Sequence, residues 1–183
     1  AGPVWHVSLQ GGGSCFDRES CQAAGRSGGL TSSASWPEEM RLGGIFSRGA
    51  GATPLLAEAA HALVRYCSSD SWVGNTSVRW GDGSTCHFRG AAILHAVLRQ
   101  LLRQGMRHAG LVLIGGCSAG GRGALYNLDG MCDMVREHAP QARCAGAVDA
   151  PWWVDSVLLP AGWAGRSSGA SLAAWESGLR EVA

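Results

Sequence analysis

Residues 110–127, GLVLIGGCSAGGRGALYN, restrict the fold more than any other stretch of the chain. The apolar run Leu111–Ile114 has the composition of a buried strand. It enters Gly115-Gly116-Cys117-Ser118-Ala119-Gly120-Gly121, and a helix-compatible segment follows. A strand, a tight turn and a helix centred on serine is the context in which G-x-S-x-G forms a nucleophile elbow. Gly116 and Gly120 have a steric role there, because strand and helix crowd the turn and side chains would clash. Such a turn projects the serine hydroxyl above the sheet. The helix N-terminus behind it offers unpaired N–H groups to a developing oxyanion.

The pattern needs its flanks to mean anything. With 28 glycines in 183 residues, the same spacing recurs around Ser27 and Ser167. Neither copy follows an apolar run, so both read as Gly/Ser/Arg loop. No Lys-Ser/Thr pair follows the glycines near Ser118, which argues against a phosphate-binding loop.

The length suits a single domain with a real core. Hydrophobic residues make up 46%, charged residues 16%, and the net charge is +1. That balance gives no pull toward nucleic acid or an anionic membrane, and no apolar run reaches the roughly 18 residues of a spanning helix. The chain opens on Ala1 and runs directly into Val4–Leu9, which points to a start within a longer protein. Seven cysteines without a C-x-x-C pair favour an oxidised, extracytosolic protein over a zinc site. Cys15 and Cys21 are spaced to close a small loop. An odd count leaves at least one thiol without a partner, and Cys117 reads as a small buried apolar residue.

Segments of the two periodicities alternate. Val4–Leu9 reads as a strand entering Gly11-Gly12-Gly13, and residues 18–53 as mostly loop with one short helix. Residues 62–67 read as a second strand, and 75–88 as a short hairpin. Residues 88–105 form the clearest helix, with Ile93, Leu94, Val97, Leu98, Leu101 and Leu102 on one stripe and Gly105 as its stop. A helix from Ala119 to about His138 ends before Pro140, and a strand covers Cys144–Val148. The alternation predicts an α/β fold with a parallel sheet. The pattern fades after Pro160.

Several segments together resemble the pectin acetylesterase/Notum family of carboxylesterases. They are LQGGGSC (9–15), RYCSSDSWVG (65–74), HFRGAAI (87–93), LLRQGM (101–106), GCSAGGRGALYNLD (116–129) and VDAPWWVD (148–155). The resemblance implies an α/β-hydrolase-like three-layer fold with a mostly parallel sheet, incomplete on the C-terminal side. It divides the chain into a partial domain over 1–160 and a divergent tail over 161–183. It implies secretion to the extracellular space or cell wall, a monomer, and no cofactor or metal. The substrate it implies is an ester: acetylated pectin or a similar glycan in one branch, a fatty-acylated protein in the other.

Carried onto this chain, the resemblance makes Ser118 the catalytic nucleophile. Gly12, Gly13 and Ala119 become the oxyanion-hole donors. Ser14 stands where the pectin branch has Trp. The family's triad acid and histidine lie well downstream, whereas this chain ends 65 residues after Ser118. The later His138 lies 20 residues along a helix, about 30 Å from the serine. Asp149 and Asp155 do not match the triad acid, and Asp70 reads as a turn or pocket residue. The upstream histidines read as structural. The expectation is an esterase impaired in this chain, or a non-catalytic carbohydrate- or lipid-binding remnant to which the eight tryptophans give weak support.

Overall fold

The structure, a computed structural model, describes residues 2–26, 29–48 and 54–151. The Ser27 and Ser167 motif copies, Asp155, and the expected boundary at 160 with its tail lie outside the described residues. So does the aromatic run at 152–154.

Four strands, β1 (Val4–Leu9), β2 (Ala60–Val64), β5 (Leu111–Cys117) and β6 (Arg143–Asp149), form one sheet in the order β2-β1-β5-β6. Every pairing in it is parallel. A separate antiparallel hairpin joins β3 (Thr76–Arg79) to β4 (Thr85–Phe88). The helices are α1 (Arg18–Arg26), α2 (Gly90–Arg103) and α3 (Ala119–His138). The α/β class and parallel sheet expected from the alternation are those observed. Among the described residues no helix is long and apolar enough to cross a membrane.

The core follows from the two periodicities. Val7 and Leu9 of β1 and Val112 and Ile114 of β5 point to the same side at period two and are at most 1% exposed. Leu94, Leu98, Leu101 and Leu102 of the α2 stripe are buried with them, and Ile93 and Val97 pack at the margin. Met131 and Val135 bring the far half of α3 into the same cluster.

Two boundaries differ from expectation. The second strand ends at Val64 because Tyr66 turns its N–H to the Gln10 side-chain carbonyl (3.1 Å) instead of continuing the ladder. Helix α2 starts at Gly90, since Phe88 is still paired with Thr76 in the hairpin. Helix α1 is the short helix expected within residues 18–53. Its start has a reciprocal cap: the Ser20 N–H donates to the Asp17 carboxylate (2.7 Å), and the Asp17 N–H donates to the Ser20 hydroxyl (3.1 Å).

Cys15–Cys21 is a disulfide, as the spacing allowed, and a second bond, Cys132–Cys144, ties α3 to the edge strand β6. Sequence reading left the second pair unassigned. Its members are 12 residues apart, and only the packing of α3 on β6 brings them together. Cys67, Cys86 and Cys117 are free.

One buried pair makes stability depend on pH. His6 is 2% exposed, and its Nδ1 lies 3.0 Å from Nδ1 of His61 on the neighbouring strand. His61 Nε2 donates to the Leu56 carbonyl (3.1 Å), so its Nδ1 accepts from His6. Burial, and secondarily the charge of His61, lower the His6 pKa from 6.5 to about 4. The unfolded chain therefore takes up this proton first. The stabilising difference is fully present above pH 6.5 and is lost as pH falls toward 4. Urea titrations are expected to show a decline of up to about 3 kcal/mol over that window. The His6→Gln variant should lose most of that slope, and an unchanged slope would refute the assignment.

Candidate active site

The site lies where the sheet reverses its order. The chain goes from β1 to β2 on one side, then returns to β5 on the other. The carboxyl ends of β1 and β5 thus flank a topological switch point, the usual place for a ligand in an open α/β sheet. Their register places Leu9 opposite Gly116. The Gln10–Ser14 loop and the Ser118 turn therefore leave the sheet side by side, although more than a hundred residues separate them in sequence.

Ser118 is the residue between β5 and α3, exposed, with φ 56° and ψ −123°. A non-glycine residue in that region is strained by about 1–3 kcal/mol. Its N–H donates to the Asp149 carbonyl at the end of β6 (3.1 Å), and its own carbonyl accepts from Arg122 N–H (2.9 Å). Those bonds hold the backbone from both sides. The hydroxyl makes no capping bond to the helix.

The glycines are dictated by contact. A Cβ on Gly116 would lie 2.6 Å from the Leu9 carbonyl oxygen and from the Gly120 carbonyl carbon. A Cβ on Gly120 would strike the Leu9 carbonyl. One on Gly121 would lie 2.6 Å from the Asp149 carbonyl oxygen. Sequence reading identified Gly116 and Gly120 and missed Gly121, whose constraint comes from β6 and has no local signal.

Gly12 and Gly13 lie on the other side. A Cβ on Gly12 would lie 2.7 Å from the Tyr66 ring, whereas one on Gly13 would meet nothing within 4 Å. Within this loop Gln10 N–H is used by Val64 and Cys15 N–H by Ser69. Among the described residues the N–H groups of Gly12, Gly13 and Ala119 have no hydrogen-bond acceptor. Donors thus remain unspent on both rims of the Ser118 turn.

A second loop supports this arrangement, built around Asp70, the residue read from the sequence as a turn or pocket residue. The Asp70 carboxylate accepts from the Ser68 hydroxyl (2.6 Å) and from the N–H groups of Trp72 (2.9 Å), Gly74 (3.0 Å) and Gly90 (2.7 Å). Around it Ser69, Ser71 and Trp72 all have positive φ. Trp72 is fully buried. Its Nε1–H donates to the Gln10 carbonyl (3.1 Å), and its side chain fills the space where Gly123 of α3 has no Cβ. Tyr66 lies beneath, its hydroxyl accepting from Ser71 N–H (2.6 Å). Burial pushes its pKa up to about 12, so it stays neutral.

Cys117 is exposed rather than buried. It ends β5, and the alternation of the strand leaves it uncovered there. The Asp149 carboxylate, hydrogen-bonded to its thiol, raises the Cys117 pKa.

None of the chain's histidines is hydrogen-bonded to Ser118. His6 and His61 bond each other, and His87 bonds Ser77. His108 bonds Arg107, and His138 bonds the Met134 carbonyl at the far end of α3. Concave regions lined by Leu94, Tyr126 and Met131, or by Arg99, Arg107 and His138, do not include Ser118.

Residues 2–161 match the family described as Pectinacetylesterase. The chain is 36% identical over 154 residues to palmitoleoyl-protein carboxylesterase notum2 of Xenopus laevis, spanning 83% of this chain and 31% of that protein. Against palmitoleoyl-protein carboxylesterase NOTUM of Drosophila melanogaster it is 38% identical over 157 residues, spanning 82% and 23%. Against pectin acetylesterase 4 of Arabidopsis thaliana it is 30% identical over 154 residues, spanning 84% and 36%. The chain thus spans about a third or less of the length of these curated relatives. A crystal structure of the Wnt deacylase Notum from Drosophila superimposes with a TM-score of 0.72 at 36% identity, covering 80% of this chain and 44% of that one.

Proposed function

The chain belongs to the pectinacetylesterase family, and from that membership we propose that it carries the nucleophile and oxyanion half of a serine carboxylesterase. Ser118 Oγ attacks the ester carbonyl, and the bond to the alcohol breaks from a tetrahedral intermediate. The resulting acyl-enzyme is resolved by water. The oxyanion is received by the N–H groups of Gly12, Gly13 and Ala119. The observation that carries this reading is the exposed, positive-φ Ser118 between two sets of unspent backbone donors.

The proton on Ser118 needs a base, and no histidine of this chain is bonded to it. General-base assistance contributes about 10²–10⁴-fold, so this chain alone is expected to react more slowly by that factor than a serine with a positioned base. The finer reading, an acetyl ester of pectin or a similar glycan, rests on the LQGGG, HFRG and GCSAGG motifs and on the plant relative. The two relatives of higher identity are named for a palmitoleoyl group on protein. A panel of p-nitrophenyl acetate and octanoate separates the two acyl preferences.

The decisive test is prolonged incubation with a fluorophosphonate, read by peptide mass. The expected result is slow formation of one adduct, on Ser118, that is absent in Ser118→Ala. Equal labelling of other serines, or sugar or acyl-chain binding with no adduct at all, would replace the hydrolase reading with that of a binding remnant. Serine-dependent turnover at ordinary enzymatic rates would refute the expected slowness.

A further inference from the structure

The sulfur atoms of Cys15, Cys21 and Cys86 lie within 4.8 Å of one another. Cys15 and Cys21 are bonded and buried, while Cys86 is a free, half-buried thiol on β4. The hairpin bearing Cys86 is clasped to α1 by Arg18, whose guanidinium lies 2.5 Å from the Asp82 carboxylate. Asp82 is itself held by the Ser84 hydroxyl (2.6 Å) and N–H (3.0 Å). This clasp keeps the thiol over the disulfide. With two of the three sulfurs committed to each other, the chemistry open to the cluster is exchange rather than metal coordination.

We propose that these cysteines form an intramolecular thiol–disulfide exchange site in which Cys86 displaces Cys15 or Cys21 from their shared bond. Cys86 gives its proton to solvent, and the thiolate attacks one sulfur of the Cys15–Cys21 pair. The new S–S bond forms as the old one breaks, and the departing sulfur takes up a proton. One disulfide and one thiol remain, so no oxidant or reductant is consumed.

The exchange replaces a bond spanning six residues by one that joins the hairpin to distant sequence. A Cys15–Cys86 bond ties the exit of the Gly11–Ser14 loop to the hairpin. A Cys21–Cys86 bond ties α1 to it and frees Cys15, whose N–H anchors that loop on the Ser69 carbonyl (2.9 Å). The consequence for the loop rests on the esterase reading. The exchange does not, and its readout does not involve Ser118.

The test uses the purified chain at pH 8 without added thiol. Free thiols are trapped with N-ethylmaleimide at intervals, and the protein is digested with trypsin unreduced. Cleavage after Arg18, Arg26, Arg79 and Arg89 places the three cysteines on separate peptides. The expected result is that the label shifts from Cys86 onto Cys15 or Cys21, with a matching cross-linked peptide that contains Cys86. Such peptides should form at least about 10-fold faster than any containing Cys67 or Cys117, the free cysteines outside the cluster. Lowering the pH from 8 to 6 should slow the shift, because only a thiolate attacks a disulfide. In Cys86→Ser, Cys15 and Cys21 should stay unlabelled. Label confined to Cys86 throughout, with the Cys15–Cys21 peptide intact, overturns the proposal. So does exchange that runs equally well through Cys67 or Cys117, or that persists in Cys86→Ser.

Discussion

Replacing Gly120 by alanine is expected to cost about 3 kcal/mol or more of unfolding free energy. The added methyl would be driven into the Leu9 carbonyl, with the Leu9 carbonyl carbon at 2.7 Å and the Gln10 carbonyl carbon at 2.9 Å. These are backbone atoms at the carboxyl end of β1, which is paired on both sides. They cannot retreat without breaking two ladders, unlike the end of a flexible side chain. The same retreat would displace the Gln10–Gly13 loop, so fluorophosphonate labelling of Ser118 should fall with stability. Gly13→Ala is the control. Its methyl would meet nothing within 4 Å, and its effect on stability should stay within about 0.5 kcal/mol. Urea midpoints of the two variants decide the matter: similar losses would mean that the packing of this turn does not constrain it.

The second large effect is expected at Asp70. Asp70→Ala removes the acceptor for three backbone N–H groups and one hydroxyl. Leaving buried donors unpaired costs about 1–3 kcal/mol each, less where water can enter, so the total should reach about 3–5 kcal/mol. The loop it organises holds Ser69, Ser71 and Trp72 at positive φ, a conformation that side chains do not favour unaided. Once the carboxylate is gone that strain has no counterweight, and Trp72 should release the Gln10 carbonyl. Hydrogen exchange of the Gln10 and Cys15 amides, bonded to the Val64 and Ser69 carbonyls at the two ends of that loop, should accelerate accordingly. Asp70→Asn, which keeps the shape and one acceptor oxygen, should lose less. Slow exchange retained in Asp70→Ala would show that Trp72 holds the loop without this clamp.

Legibility in the sequence followed the range of the forces involved. The stripe Leu94, Leu98, Leu101, Leu102 needs only the helical period, and it forms the buried face of α2. The hairpin was visible because Val, Thr and Phe stand between glycines over residues 75–88. The α1 cap carried its own signal, Asp17 followed three residues later by Ser20. It marks the start of the short helix expected within residues 18–53. Cys117 went the other way: composition alone made it a core residue, while its place at the open end of β5 left it exposed.

The RYCSSDSW segment marks the limit. It served as a motif of resemblance, yet nothing within it says that Asp70 bonds the start of α2 or that Trp72 fills a gap in α3. Those partners are supplied by segments far along the chain.

By itself, then, the sequence determined the strand–glycine–serine–helix unit, the main helices and the parallel α/β class. Steric crowding and periodicity act over a few residues and leave their mark there. The tertiary structure alone decided that β1 lies between β2 and β5, bringing Gly12 and Gly13 beside Ser118. It also set the Asp70 clamp, the Cys132–Cys144 bond and the meeting of three sulfurs under the hairpin. Strand order is chosen by how the apolar faces of all elements are buried together, and no local pattern encodes that choice.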